Sequence, residues 1–220
     1  MNCVYKQDVT IGNKLLEKPA EISTFYIEPK FNNMKKWVIG SLVGAIIVFV
    51  WQFLSWSVLP VHDKTAKYTD KQDEVMAAIT ANITDEGMYM MPSAPTKKEQ
   101  QDMMKSMEGK PWATVIYHKA MDTDMTTMMI RGFLVDLFLV ISLIYVLTRG
   151  GTPIARRAFS GAVALGLFAF IWTDYTGHIW FQLPWHMITG DLIDSLVAWG
   201  LCGIWIGWWL NRGSNKSAAA

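Results

Sequence analysis

Residues 174 to 194, DYTGHIWFQLPWHMITGDLID, set Asp174, Asp191 and Asp194 and two histidines, His178 and His186, among tryptophans. Neutral imidazoles and a carboxylate are ligands for copper, zinc or iron, and Asp174 stands four residues before His178, one turn away on a helix. The other two histidines, His62 and His118, lie in segments that topology can bring to the same side. Seven residues separate His178 from His186 across a proline-containing loop, a spacing specific to no metal, and neither HExxH nor CxxC is present. The competing reading makes these histidines polar tips at a membrane interface, beside Trp180 and Trp185.

Methionine offers a second chemistry. MYMM holds Met88, Met90 and Met91, MMKSM holds Met103, Met104 and Met107, and MDTDMTTMM runs from Met121 to Met129. Thioether sulfur is a soft ligand, so such clusters can take Cu(I), which makes copper a candidate cofactor. Met also fills irregular apolar contacts, and at i, i+3 and i+4 it marks the packed face of a helix.

A third candidate is Asp136, in the apolar run RGFLVDLFLV. It lies about 12 Å into a span, where a charge costs several kcal/mol unless paired, hydrated or protonated. Asp194 falls at a comparable depth in a later span, with Asp191 above it, and Arg131 is nearer the surface. The expectation is a polar cluster of Arg131, Asp136, Asp191 and Asp194 between the second and fourth spans. It is either a proton or ligand site or a bonded knot that fixes packing.

The elements that position these residues are membrane spans. WVIGSLVGAIIVFVWQFLSWSVL, residues 37–59, carries no charge and reaches roughly 34 Å as a helix, enough for a hydrocarbon core of about 30 Å. It exceeds a signal-peptide apolar core and reads as a signal anchor. Further spans are expected at 128–147, 158–173 and 187–210, the third borrowing turns from TPIARR and DYTGH. Lys35 and Lys36, then Arg149, Arg156 and Arg157, then Arg212 and Lys216 flank the spans on one side, while the loop at 174–186 has no Lys or Arg. The positive-inside rule therefore places both termini, tails 1–36 and 211–220, in the cytoplasm. The segment 60–127 and the hairpin loop 174–186 fall outside. Met34, opening MKKWVIG, also reads as a natural start.

The long outer segment, with more acids than bases, reads as a small folded insert. TDKQDEVMAAITANI has Thr69 as a candidate N-cap and Val75, Ile79 and Ile83 at helical spacing. TKKEQQDMMKSMEGK has Thr96 and Glu99 as a capping box, with Gly109 to stop the helix. PWATVIYHK alternates as a strand, with GMYMMP as its partner. The expected order is helix, strand, helix, strand. In the last span Gly200, Gly203 and Gly207 allow close approach, with Gly40 and Gly44 of the first span as the expected partner face.

A formal net charge of +1 and the lack of basic runs exclude a strongly basic nucleic-acid binder. Two cysteines, Cys3 and Cys202, make no disulfide framework, and Cys202 reads as a small buried apolar residue. MKKWVIGSLVGAIIVFVWQFLSW, EGMYMMP, VIYHK, RGFLVDLFLV and WFQLPW with DLIDSLVAWGLCGIWIG together resemble a family of uncharacterised bacterial integral membrane proteins. That resemblance covers nearly everything after Met34 and implies four spans in a bacterial inner membrane, with no activity to transfer.

The sequence thus predicts an all-α membrane protein, four transmembrane helices with a small α+β extracytoplasmic insert between the first two. Its partners are the lipid bilayer and other membrane subunits. No nucleophile constellation, phosphate loop or transport path is legible, so a non-enzymatic structural or accessory component is expected. Two other readings stand beside it: an outer-face copper handler using methionines and histidines, and a small membrane enzyme or quinone- or lipid-binding protein with a carboxylate pocket.

Overall fold

The structure, a computed structural model, describes residues 31–212. Cys3, the proposed tail up to residue 30 and residues 213–220 lie outside the described residues. Four helical segments are long and apolar enough to cross a membrane. The first, α1, runs Phe31–Ser57. The insert follows as α2 (Gln72–Asn82), β1 (Gly87–Met91), α3 (Lys97–Ser106) and β2 (Ala113–Tyr117). Then come α4 (Met125–Thr148), α5 (Ala155–Phe170), a π-helical turn (Ile171–Tyr175), α6 (Thr176–Phe181) and α7 (Trp185–Asn211). The protein is a multi-pass membrane protein with a small insert between its first two spans.

Local chemistry sets the element ends. Asp124 caps α4 by accepting from the Thr127 amide at 3.2 Å, and Thr127 holds the Asp124 carboxyl below its ordinary value by hydrogen bonds from its side chain and then its backbone. Thr96 caps α3 through the Glu99 amide at 3.3 Å, and Gly109 takes a positive φ of 74° just beyond its end. Thr69, expected as the cap of α2, instead accepts from the Lys71 amide, and the helix begins at Gln72. The two strands pair antiparallel with Tyr89 opposite Val115. The expected outer loop at 174–186 is mostly helix. Nothing between Ala155 and Phe181 breaks the chain's helical run, which a π turn carries on until Gln182 turns left-handed (φ 50°) ahead of Pro184.

The helices pack in the order α4, α1, α7, α5, with α4 and α5 barely touching although they are neighbours in sequence. Lipid tails are as apolar as leucine, so close van der Waals fit does the work of association. Small residues supply it. A Cβ on Gly44 would lie 2.8 Å from Val140 of α4 and 3.3 Å from Cys202 of α7, which places α1 between those two helices. The glycines of α7 serve a different neighbour from the one expected. Gly203 faces Ala158, Phe159 and Ala162, and Gly207 faces Ala155, all on α5. Large tryptophans fill the α1 face: Trp205 donates to the Gly40 carbonyl at 3.0 Å and Trp209 to the Lys36 carbonyl at 2.8 Å. The core is a column of Ala45, Val48, Val140, Ile144, Ala162, Cys202 and Ile206, reaching to Leu210 at the end away from the insert.

Candidate functional site

The polar side chains gather at the insert end of the bundle, around α1. Trp51 and Ser55 stand one turn apart, and Gln52 is rotated about 100° from Trp51. On the α7 flank, Asp194 Oδ1 accepts from Trp51 Nε1 at 2.9 Å and from the Ser55 hydroxyl at 2.5 Å. Its other oxygen lies 3.0 Å from His62 Nε2. The other ring nitrogen, Nδ1, lies 3.3 Å from the Thr65 hydroxyl. His62 enters from the turn after α1, stacks on Trp56 with ring centres 3.8 Å apart, and is buried. Gly190 makes room for it: a Cβ there would sit 2.5 Å from the imidazole.

Beside this node a cavity of about 340 Å³ lies between α1, the π turn and α7. Asp174, Asp191 and Asp194 line it with Trp56 and Trp199, so it presents carboxylates and aromatic walls. Val48 and Ala198 form its far side and belong to the apolar column. The vestibule can hold water, a proton or a cation at one end of the bundle, and the apolar packing beyond it closes the way to the other.

Gln52, which lines the same cavity, donates to Asp136 Oδ1 of α4 at 3.2 Å. Asp136 and Asp194 take their hydrogen bonds from different residues of α1, and Gln52, which is bonded to Asp136, also lines the vestibule that holds Asp194. Arg131 goes with Asp136 and Asp191 with Asp194. Trp51, Gln52, Ser55 and Gly190 were missing from the sequence-based set. The cluster of hydrogen-bonding side chains in WQFLSW, the last two turns of an otherwise apolar span, was the available signal.

The metal candidates are dispersed. His178 Nδ1 meets the Leu183 carbonyl at 2.5 Å and its ring lies against Trp185, so it closes the α6–α7 turn. His186 is half-buried at the start of α7, and His118 lines a groove with Met76 and Met121 in the insert. Asp174 accepts from the Thr173 hydroxyl at 2.9 Å. Among the described residues no three of His, Cys, Asp and Glu are grouped to hold a metal ion. Met104 is exposed on α3, whereas Met103 and Met107 are half-buried. Compared with models of protein families, with curated proteins and with solved structures, the chain matches none.

Proposed function

We propose that this protein is a non-enzymatic accessory component of a bacterial inner-membrane assembly, with both termini cytoplasmic and the insert outside engaging a partner subunit. The insert carries this reading. Across residues 60–124 only His62 and Tyr117 are buried, and neither α2 nor α3 buries any residue. Val75, Met76, Met88, Ile116 and Met121 are left exposed on one small unit. Met76, Ile116 and Met121 line one groove of it, and grouped exposed apolar surface of this kind marks an interaction face.

The bundle supports the same reading. Trp51, Gln52, Ser55, His62, Asp136 and Asp194 at the insert end bond between segments, and His62 holds the insert's base to α7. Lys36 and Arg212 meet at the other end, where the Lys36 ammonium donates to the Arg212 carbonyl at 2.9 Å, in keeping with a positive cytoplasmic side.

The test is the mass of the complex extracted from native membranes in mild detergent, for wild type and for Ile116→Lys. A discrete, stoichiometric complex that the variant loses is expected. A wild-type protein that runs alone, or a complex untouched by the substitution, contradicts the proposal.

A further inference from the structure

The groove of the insert gathers metal-ligating atoms from separate segments of the chain. Met76 of α2, His118 just past β2, Met121 in the linker and Met128 near the start of α4 line one cavity of about 500 Å³, with Asp122 also on its wall. All four of these donor side chains are exposed, so burial in a core does not explain the three methionines. The backbone that carries them is held in place. β2 pairs with β1 along its whole length, the Lys119 amide beside His118 donates to the Glu86 carboxylate at 2.8 Å, and Asp124 caps α4. His118 makes no hydrogen bond or ion pair within the described residues, whereas His62 and His178 each engage a ring nitrogen.

We propose that this groove is a Cu(I) site, in which the thioethers of Met76, Met121 and Met128 and the imidazole of His118 hold the ion. Thioether sulfur is soft and uncharged, which favours Cu(I) over divalent ions, and imidazole is a good partner ligand for copper. Groups of His, Cys, Asp and Glu that would take a harder ion are absent among the described residues. The carboxylate of Asp122 offsets the single charge of Cu(I), while its Oδ1 accepts from the Asp124 amide at 2.9 Å. Methionine is unbranched, with three rotatable bonds, so sulfurs on separate segments can turn toward one ion. The ion also has a structural consequence. Helix α2 buries no residue, so a metal shared by Met76 and Met128 ties it to α4 where packing does not. The site shares its groove with the partner face and does not rest on that reading, because the purified chain alone carries the test.

The test loads the full chain in detergent with Cu(I) under anaerobic conditions and dialyses it against the Cu(I) chelator bicinchoninate. Wild type is expected to keep one Cu(I) per chain, with sulfur and nitrogen neighbours in its X-ray absorption spectrum, and to show slower hydrogen exchange in α2 than the metal-free protein. The triple variant Met76→Leu, Met121→Leu, Met128→Leu keeps volume and apolar character, and is expected to lose both the ion and the slowed exchange. His118→Ala is expected to lose the nitrogen neighbour. A control with Met103→Leu, Met104→Leu and Met107→Leu, around α3, is expected to keep the ion. Wild type that yields all its copper to the chelator overturns the proposal, as does a Met76, Met121, Met128 variant that retains as much as wild type. Equal loss from the α3 control also overturns it, since copper would then be spread over surface methionines.

Discussion

Replacing His62 by Ala removes the side chain that joins the insert's base to α7. The Asp194 Oδ2 acceptor, 3.0 Å from the imidazole, loses its partner, which costs about 1–3 kcal/mol in a buried setting. The stack on Trp56, with ring centres 3.8 Å apart, adds about 0.5–1.5 kcal/mol. The expected loss is therefore about 3 kcal/mol. Asp194→Ala is expected to cost at least as much, since Trp51, Ser55 and His62 all lose their acceptor.

The bond itself is isolated by the double variant. His62→Ala with Asp194→Ala is expected to fall short of the sum by about 1–3 kcal/mol, measured by reversible unfolding in mixed detergent micelles. Gly190→Ala approaches the same bond from the other side, because its new Cβ would occupy the space of the imidazole, 2.5 Å away. It should destabilise wild type by about 1–3 kcal/mol and do much less in the His62→Ala background. Additivity within about 0.5 kcal/mol in both cycles would refute the idea that His62 latches the insert to the bundle.

The α5–α7 seam makes a second prediction. A Cβ on Gly203 meets Phe159 Cα at 2.9 Å and Ala162 Cβ at 2.8 Å, whereas nothing lies within 4 Å of one on Gly150. Gly203→Ala should cost about 1–3 kcal/mol, and Gly150→Ala should leave the melting temperature unchanged. The α4 cap makes a third, with a definite pH sign. Thr127 depresses the Asp124 carboxyl from its ordinary 3.8, so the cap contributes fully above that value and is lost as pH falls through the lower folded-state value. Hydrogen-exchange protection at Thr127 should be higher in wild type than in Asp124→Ala at about pH 6, and the gap should shrink as the pH is taken progressively below 3.8. A difference that does not change with pH would contradict it.

The spans were legible because uncharged apolar runs about 20 residues long have few other uses. The insert's order was legible too. Thr96 capping α3, and the alternation that leaves Tyr117 buried and Ile116 exposed, are local signals that the structure repeats. The arrangement of the helices was not legible, since hydropathy counts spans without saying which ones touch. Asp136 and Asp194 were matched for depth, but depth carries no information about which α1 residues each one bonds. The extension of the third span into DYTGH was legible, whereas the π turn by which it passes Asp174 and the helix's continuation to Phe181 were not. The Thr176 hydroxyl in fact donates to the Ile171 carbonyl at 2.8 Å and supports the π turn. His62 looked like one metal candidate among four, because its pairing with a residue 132 positions away depends on the vacancy that Gly190 leaves.

Site-specific photocrosslinking in native membranes tests the central claim most directly, with the reactive group placed at Ile116 in the insert and, as a bilayer-facing control, at Phe138 on α4. Ile116 is 68% exposed, and so is Phe138, which makes the comparison an even one. The account predicts one discrete protein adduct from Ile116 and lipid adducts alone from Phe138. Lipid adducts alone from both positions would show that the insert rests on the membrane and engages no partner subunit.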